Sequence, residues 1–379
     1  MENEFHSIAS GLDRWLREAA LPFWWDVGAD HQRGGFQELV GLDGRPTEVP
    51  RRARVQGRQS FVYAMAGALG WVGPWRDAAK HGLAFLNNHH KNAQGLFCTL
   101  VSPAGRVIDD AVTIYDQAFA LLAMAWLYRV APRDQSRIEA ENVLAQLYRL
   151  RSSERGGFVE TSPHAFQSNP HMHLFEAALA WCEIGQSANW NRLADEMASL
   201  CLTKFVDPDG GFVREYFDEL WRPHAGPQGR IVEPGHQFEW AWLLERWARM
   251  RNDDRAKSVA RKLFEVGTRG IDRERGVAVD EMDGHFNITR NSARLWPQTE
   301  RLKAALILSE TAAGETRSHY LKEAVEASRV LLRYLDTPVV GIWRDKLQPN
   351  DKFIEEPAPA SSFYHIICAI AAVKEAAAK

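Results

Sequence analysis

Apolar residues recur at three- and four-residue spacing in twelve stretches of this chain, at about 3–20, 54–71, 75–91, 112–131, 136–150, 171–185, 190–204, 235–250, 254–269, 298–313, 318–335 and 362–377. That period predicts helices, and they fall into pairs. One helix of each pair, as in QAFALLAMAWLY and QFEWAWLLERW, is bulky and apolar on nearly all sides and belongs inside. Its companion, as in NDDRAKSVARKLFEVG, carries a polar face and belongs outside.

A degenerate repeat separates the pairs. Gly followed by an aromatic or apolar residue occurs in RGGF (33–36), GLF (95–97), RGGF (155–158), DGGF (209–212), RGVAV (275–279) and VGIW (340–343). With Gly34, Gly95, Gly156, Gly210, Gly276 and Gly341 as markers, the spacings are 61, 61, 54, 66 and 65 residues, room for two helices per repeat. Short alternating segments follow the markers, as in GGFQELVGLDGRPTE with Asp43-Gly44 at the bend, and predict β-hairpins. The expectation is an all-α fold: an (α/α)6 barrel of six helical hairpins with short β-hairpin insertions. A superhelical solenoid is the competing arrangement. No Pro- or Ser-rich linker divides residues 1–379, so one barrel domain is expected.

Charge narrows the partners. Lys and Arg number 46 against 49 Asp and Glu, a net of −3 without runs of one sign, so neither nucleic acid nor an anionic membrane is an expected partner. The longest apolar stretch, Ala118 to Tyr128, is too short to span a bilayer, and the charge-broken N-terminus reads as an amphipathic helix and not a signal peptide. Cys98, Cys182, Cys201 and Cys368 lie far apart and read as buried thiols, which makes cytoplasm the expected compartment. The 14 Trp and 18 Phe supply a large core, and equally the flat faces on which sugar C–H groups pack.

Polar residues that interrupt the inner-helix starts are the candidate chemistry. RIVEPGHQFEWAWLLERW sets His236 and Glu239 three apart just after Pro234. SNPHMHLFEAALAW sets His173 and Glu176 in the same relation. Although His171, His173 and Glu176 are metal-ligand types, the H-E-x-x-H spacing is missing, and no metal is expected. In PAPASSFYHIICAIAAV, His365 follows a cap at Ser361 or Ser362. Arg54 and Arg58 lie one turn apart in RRARVQGRQSF, either as surface charges or as cations that polarise a substrate oxygen. RLWPQTERLKAAL adds Trp296 and Glu300. Histidine suits the movement of a proton from carbon near neutrality, since its ordinary pKa of about 6.5 leaves both forms available. A glycosidase would instead need two carboxylates, and Glu176, Glu239 and Asp116 keep that class open.

Taken together, ARVQGRQSF (53–61), NPHMHLFEA (169–177), EPGHQFEWAWLL (233–244), RLWPQTERLKA (294–304) and SSFYH (361–365) resemble the N-acylglucosamine 2-epimerase superfamily, in its aldose–ketose isomerase branch typified by mannose isomerases. The resemblance implies an (α/α)6 barrel without metal or redox cofactor, acting on a monosaccharide. It implies catalytic roles for His236 and His365, with Glu239 orienting His236 and Arg54 stabilising the enediolate. His173, Glu176 and Trp296 would line the sugar pocket. The implied reaction is ring opening followed by proton transfer between C2 and C1 through a cis-enediol, with His365 as the base. A sugar C2 epimerase is the alternative on the same residues. Oligomeric state is not specified.

Overall fold

A computed structural model describes residues 2–185 and 187–379. Each repeat turns on a glycine whose φ lies between +68° and +103°: Gly34, Gly95, Gly156, Gly211, Gly276 and Gly341. A residue without Cβ adopts this conformation freely, which explains the periodic glycine. In the fourth repeat the turning residue is Gly211, not the Gly210 expected from spacing.

Two residues after each of these glycines stands a buried residue: Phe36, Phe97, Phe158, Val213, Ala278 or Trp343. In the first five repeats its backbone is clamped by the fourth residue of the next inner helix. Gln56 accepts from Phe36 N–H at 2.7 Å and donates to Phe36 O at 2.9 Å. Gln117, Gln237 and Gln298 do the same for Phe97, Val213 and Ala278. His171 takes that place in the third repeat, accepting from Phe158 N–H at 2.9 Å and donating from Nδ1 to Gln167 O at 2.7 Å. Both of its nitrogens are therefore engaged by backbone, and burial pushes its pKa down to about 4.

The helices are α1 (2–26, with a π-helical stretch at Trp15–Ala20), α2 (Ala53–Ala68), α3 (Trp75–Phe85), α4 (Ile114–Val130), α5 (Asp134–Arg151), α6 (Ser168–Glu183), α7 (Ala188–Leu200), α8 (Pro234–Arg251), α9 (Asp254–Arg269), α10 (Leu295–Thr311), α11 (Gly314–Leu335) and α12 (Phe363–Ala377). Periodicity placed the end of α1 near residue 20, but the helix runs through Pro22 to Asp26. Packing follows the pattern of polarity. Helix α4, apolar nearly all round, is buried along almost its whole length. Helix α9 buries only Ala256, Ala260, Leu263, Phe264, Val266 and Gly267 and turns its charged face outward. Caps fix several starts: Asp253 accepts from Ala256 N–H, and Thr113 from Asp116 N–H.

Helix α2 packs on α4, α4 on α6, α6 on α8, α8 on α10, α10 on α12, and α12 back on α2. The inner six thus close into a ring, and the open solenoid is excluded. Helices α3, α5, α7, α9, α11 and α1 back them from outside. Short antiparallel pairs collar one mouth, each joining the segment before an inner helix to a distant hairpin. Arg51–Arg52 pairs with Leu100–Val101, Phe166–Gln167 with Tyr216–Phe217, and Ala293–Arg294 with Lys346–Leu347. Leu39–Val40 pairs with Ala358–Pro359, tying the first repeat to the last.

Candidate active site

At the collared mouth the N-termini of the inner helices surround a cavity of about 320 Å³. Trp296 forms its wall between two histidines, its ring centroid 5.0 Å from that of His236 and 5.7 Å from that of His365. Arg58, His173 and Glu239 also line it.

Each flanking histidine leans on a carboxylate through Nδ1, which turns Nε2 away from that partner. His236 Nδ1–H donates to Glu215 Oε2 at 2.8 Å, with Glu233 Oε2 3.9 Å away. Burial opposes its charged form, yet Glu215 and Glu233 outweigh burial and push its pKa up to about 9. His365 Nδ1–H donates to Glu300 Oε1 at 2.7 Å. Here burial dominates, and the cations Arg58 and Lys303 act with it, holding His365 well below the usual imidazole range. One histidine is therefore an imidazolium and the other a neutral imidazole near pH 7.

The other groups fall around this pair. Glu239 is buried beside Glu300, and both burial and that neighbour push its carboxyl well above the usual carboxylate range. Arg58 donates to Tyr115 Oη at 2.7 Å and to Ser361 O at 3.2 Å, with its guanidinium 4.1 Å from the centre of the Phe119 ring. Among the described residues no carboxylate pairs with it. Its charge is free for a substrate oxygen.

Three expectations change. Arg54 does not line the cavity: its Nε is held 2.9 Å from Asp116 Oδ1, and Arg58, one turn on, takes the cavity position. Glu239 is not what orients His236, since that partner is Glu215. Glu176 lies beneath the cavity floor, accepting a short hydrogen bond from Tyr364 Oη, with its Oε2 3.8 Å from His173 Nδ1. Burial would raise its pKa, but His173, Lys303 and Tyr364 draw it down to about 2. His173 and Trp296 do line the cavity.

Among the described residues two sets of donors have metal-like proximity: His173, Glu176 and Glu239, and Glu239, Glu300 and His365, each with ligand atoms within 4.8 Å of one another. His171, the third ligand type noted in the sequence, has no free nitrogen. The ammonium of Lys303 lies 2.7 Å from Glu300 Oε2, where it already supplies positive charge. The donor set fits a divalent cation poorly, because Lys303 and the His236 imidazolium face the same carboxylates.

A profile of the N-acylglucosamine 2-epimerase (GlcNAc 2-epimerase) family matches residues 34–369. The chain belongs to this family. It is 44% identical over 377 residues to a Rhizobium meliloti protein named "Mannose-6-phosphate isomerase", covering 98% of this chain and 97% of that one. It is 26% identical to the N-acylglucosamine 2-epimerase of Rattus norvegicus, over 76% of this chain and 73% of the relative. Among solved structures, D-mannose isomerase superposes with a TM-score of 0.87 at 20% identity, covering 97% of both chains. The cellobiose 2-epimerase of Bacillus thermoamylovorans B4167 gives 0.87 at 17% identity, over 97% of this chain and 99% of that one. These two superpositions establish the (α/α)6 barrel. Family membership makes the chain a sugar isomerase or epimerase.

Proposed function

We propose that this member of the family is an aldose–ketose isomerase converting a free aldose such as D-mannose to its ketose, D-fructose. The observation that carries the reading is the pair of buried histidines flanking Trp296, each held by a carboxylate at Nδ1.

His236, as imidazolium, donates a proton to the ring oxygen as the pyranose opens and regains one from the anomeric hydroxyl as the aldehyde forms. Neutral His365 then removes the proton from C2 and returns it to C1 of a cis-enediol, while the O2 hydroxyl proton passes to O1. Arg58 holds the oxyanion that develops on the enediolate, and the carboxyl of Glu239 hydrogen-bonds a sugar hydroxyl. The base ends the transfer in the form in which it began. A two-base C2 epimerase would use the same pair differently, one histidine removing the C2 proton and the other delivering a proton to the opposite face.

The rim supports an unphosphorylated sugar. Arg52 is paired with Glu38 at 2.7 Å, and Arg294 with Asp280 and Glu233 at 3.0 and 3.1 Å. A phosphate dianion would have to displace these carboxylates, whereas hydroxyls bridge them. The whole chain acts as one catalytic barrel in this reading. Its four buried cysteines are free thiols, which suits the cytoplasm, and among the described residues no helix is long and apolar enough to cross a membrane.

The test is incubation of purified protein with mannose, mannose 6-phosphate, glucose, N-acetylmannosamine and cellobiose, with products resolved by chromatography. Fructose from mannose is expected. Glucose accumulating from mannose without ketose makes the protein an epimerase. Turnover of the 6-phosphate alone refutes the free-sugar reading.

A further inference from the structure

The ring of inner helices encloses a second cavity, also about 320 Å³, at the opposite mouth. Its walls come from residues deeper along all six inner helices, and it shares none of its lining residues with the first. Trp126 and Trp242 line it, with Phe61 and Leu306 beside them. At its inner end stand Lys303 and Glu176, both buried.

Charge at this end is balanced in pairs. Arg246 and Arg129 reach Glu183 at 2.6 and 3.3 Å, and Arg249 binds Glu310. Lys303 is the exception in geometry. Its Nζ lies 2.7 Å from Glu300 Oε2, which takes one of its three N–H donors, and 4.0 Å from the centre of the Trp242 ring. The donors that remain on this buried ammonium, facing a cavity, call for an acceptor there.

The same end excludes a charged occupant. The Glu176 carboxylate repels an anion and the Lys303 ammonium repels a cation. A hydroxyl meets both, accepting from Lys303 and donating to Glu176, while the tryptophans pack against C–H groups. From this arrangement we infer that the second cavity is a binding site for a neutral polyhydroxylated molecule of monosaccharide size, distinct from the catalytic cavity.

The test uses a sugar alcohol, D-mannitol, which has no carbonyl to isomerise, and reads its binding stoichiometry by calorimetry on the full-length protein. The expected result is two sites per chain. Ala372→Phe, which fills the second cavity, should leave one site, and Trp126→Ala should weaken that site about tenfold, the loss of one aromatic contact. Neither variant touches the catalytic cavity, so each should turn over sugar at the wild-type rate, and circular dichroism checks their folding. Wild-type protein that binds none, or only one equivalent that Ala372→Phe does not remove, overturns the inference. So does a second site that survives in Ala372→Phe and Trp126→Ala alike. Failure of the isomerase reading would show as absent turnover and leave the Ala372-sensitive site intact, so the two outcomes separate.

Discussion

Glu215→Gln isolates the interaction that sets the charge of His236. The carboxylate accepts from Nδ1 at 2.8 Å and, against the pull of burial, is the foremost group raising the histidine from 6.5 to about 9. That rise corresponds to about 3 kcal/mol in favour of the imidazolium, at about 1.4 kcal/mol per tenfold change. Glutamine keeps the shape and a hydrogen-bond acceptor but removes the charge. Burial then outweighs the remaining Glu233, 3.9 Å away, and the pKa falls below its ordinary value. If His236 works as an acid, wild-type kcat/KM is lost as pH rises through about 9, and the variant's alkaline limb moves down by about two pH units or more. At pH 8 the variant should retain about 1% of wild-type kcat/KM, recovering toward pH 6. Stability moves with the same sign. The raised pKa contributes stability below about 6.5 that fades as pH rises to about 9, and the variant should lack this dependence in its melting temperature. The assay is kcat/KM from pH 5.5 to 10, with thermal melts at each pH. An unmoved alkaline limb, or a uniform loss at every pH, would refute the assignment of His236 as the acid.

Arg58→Ala should lower kcat by about 10²–10³-fold, as removal of an oxyanion donor does, whereas Arg54→Ala should leave kcat within a few-fold and destabilise the fold by about 1–3 kcal/mol through the buried Asp116. Equal losses of kcat would return the catalytic role to Arg54. His171→Gln should keep wild-type melting and activity, because glutamine makes the same backbone bonds in four other repeats, while His171→Ala should cost about 1–3 kcal/mol; a dead glutamine variant would mean that His171 has a chemical role. Dialysis against EDTA should leave the rate unchanged, and a loss restored by Mn²⁺ or Zn²⁺ would redirect attention to His173, Glu176 and Glu239.

The barrel was legible because its determinants are local: helical period, all-round apolarity of the inner helices, and a glycine at each turn. The site was legible in part. His236, His365, His173 and Trp296 interrupt apolar helix starts, and such interruptions show in one dimension. Arg54 and Arg58 share a helix face, and the choice between them rests on Asp116, 62 residues along the chain. Glu176 stands three residues beyond His173, which places it nearly a turn deeper and under the floor, a depth that spacing alone does not convey. Glu215 sits in a hairpin away from any helix start, yet a signal for it exists. Four residues after each turning glycine stand Glu38, Thr99, Glu160, Glu215, Asp280 and Asp345. Several of these cap the inner-helix mouth: Glu38 accepts from Arg52 N–H, Glu160 from Ile114 and Tyr115 N–H, and Asp280 from Arg294 N–H. Reading the repeat in the register of Gly211 would have placed Glu215 in that ring, facing the start of α8.

The same accounting of carboxylates bears on the glycosidase reading that the sequence left open. The barrel alone does not decide, since an unsaturated glucuronyl hydrolase superposes with a TM-score of 0.70 at 14% identity. Hydrolysis of a glycosidic bond needs one carboxyl that gives a proton and a second, ionised and unencumbered, that attacks carbon or activates water. Around this cavity Glu215 is bound to His236 and Glu300 to His365, Glu233 is paired with Arg294, and Asp345 accepts from Ser362. Asp116 is engaged by Arg54, Thr99 and Thr113, and Glu176 lies below the floor. That leaves Glu239, whose carboxyl burial and Glu300 push well above the usual range. Among the described residues each of these other carboxylates is already engaged, whereas neutral His365 is free to accept a proton from the sugar. The mouth of this barrel is built to move protons on carbon and oxygen without breaking a glycosidic bond.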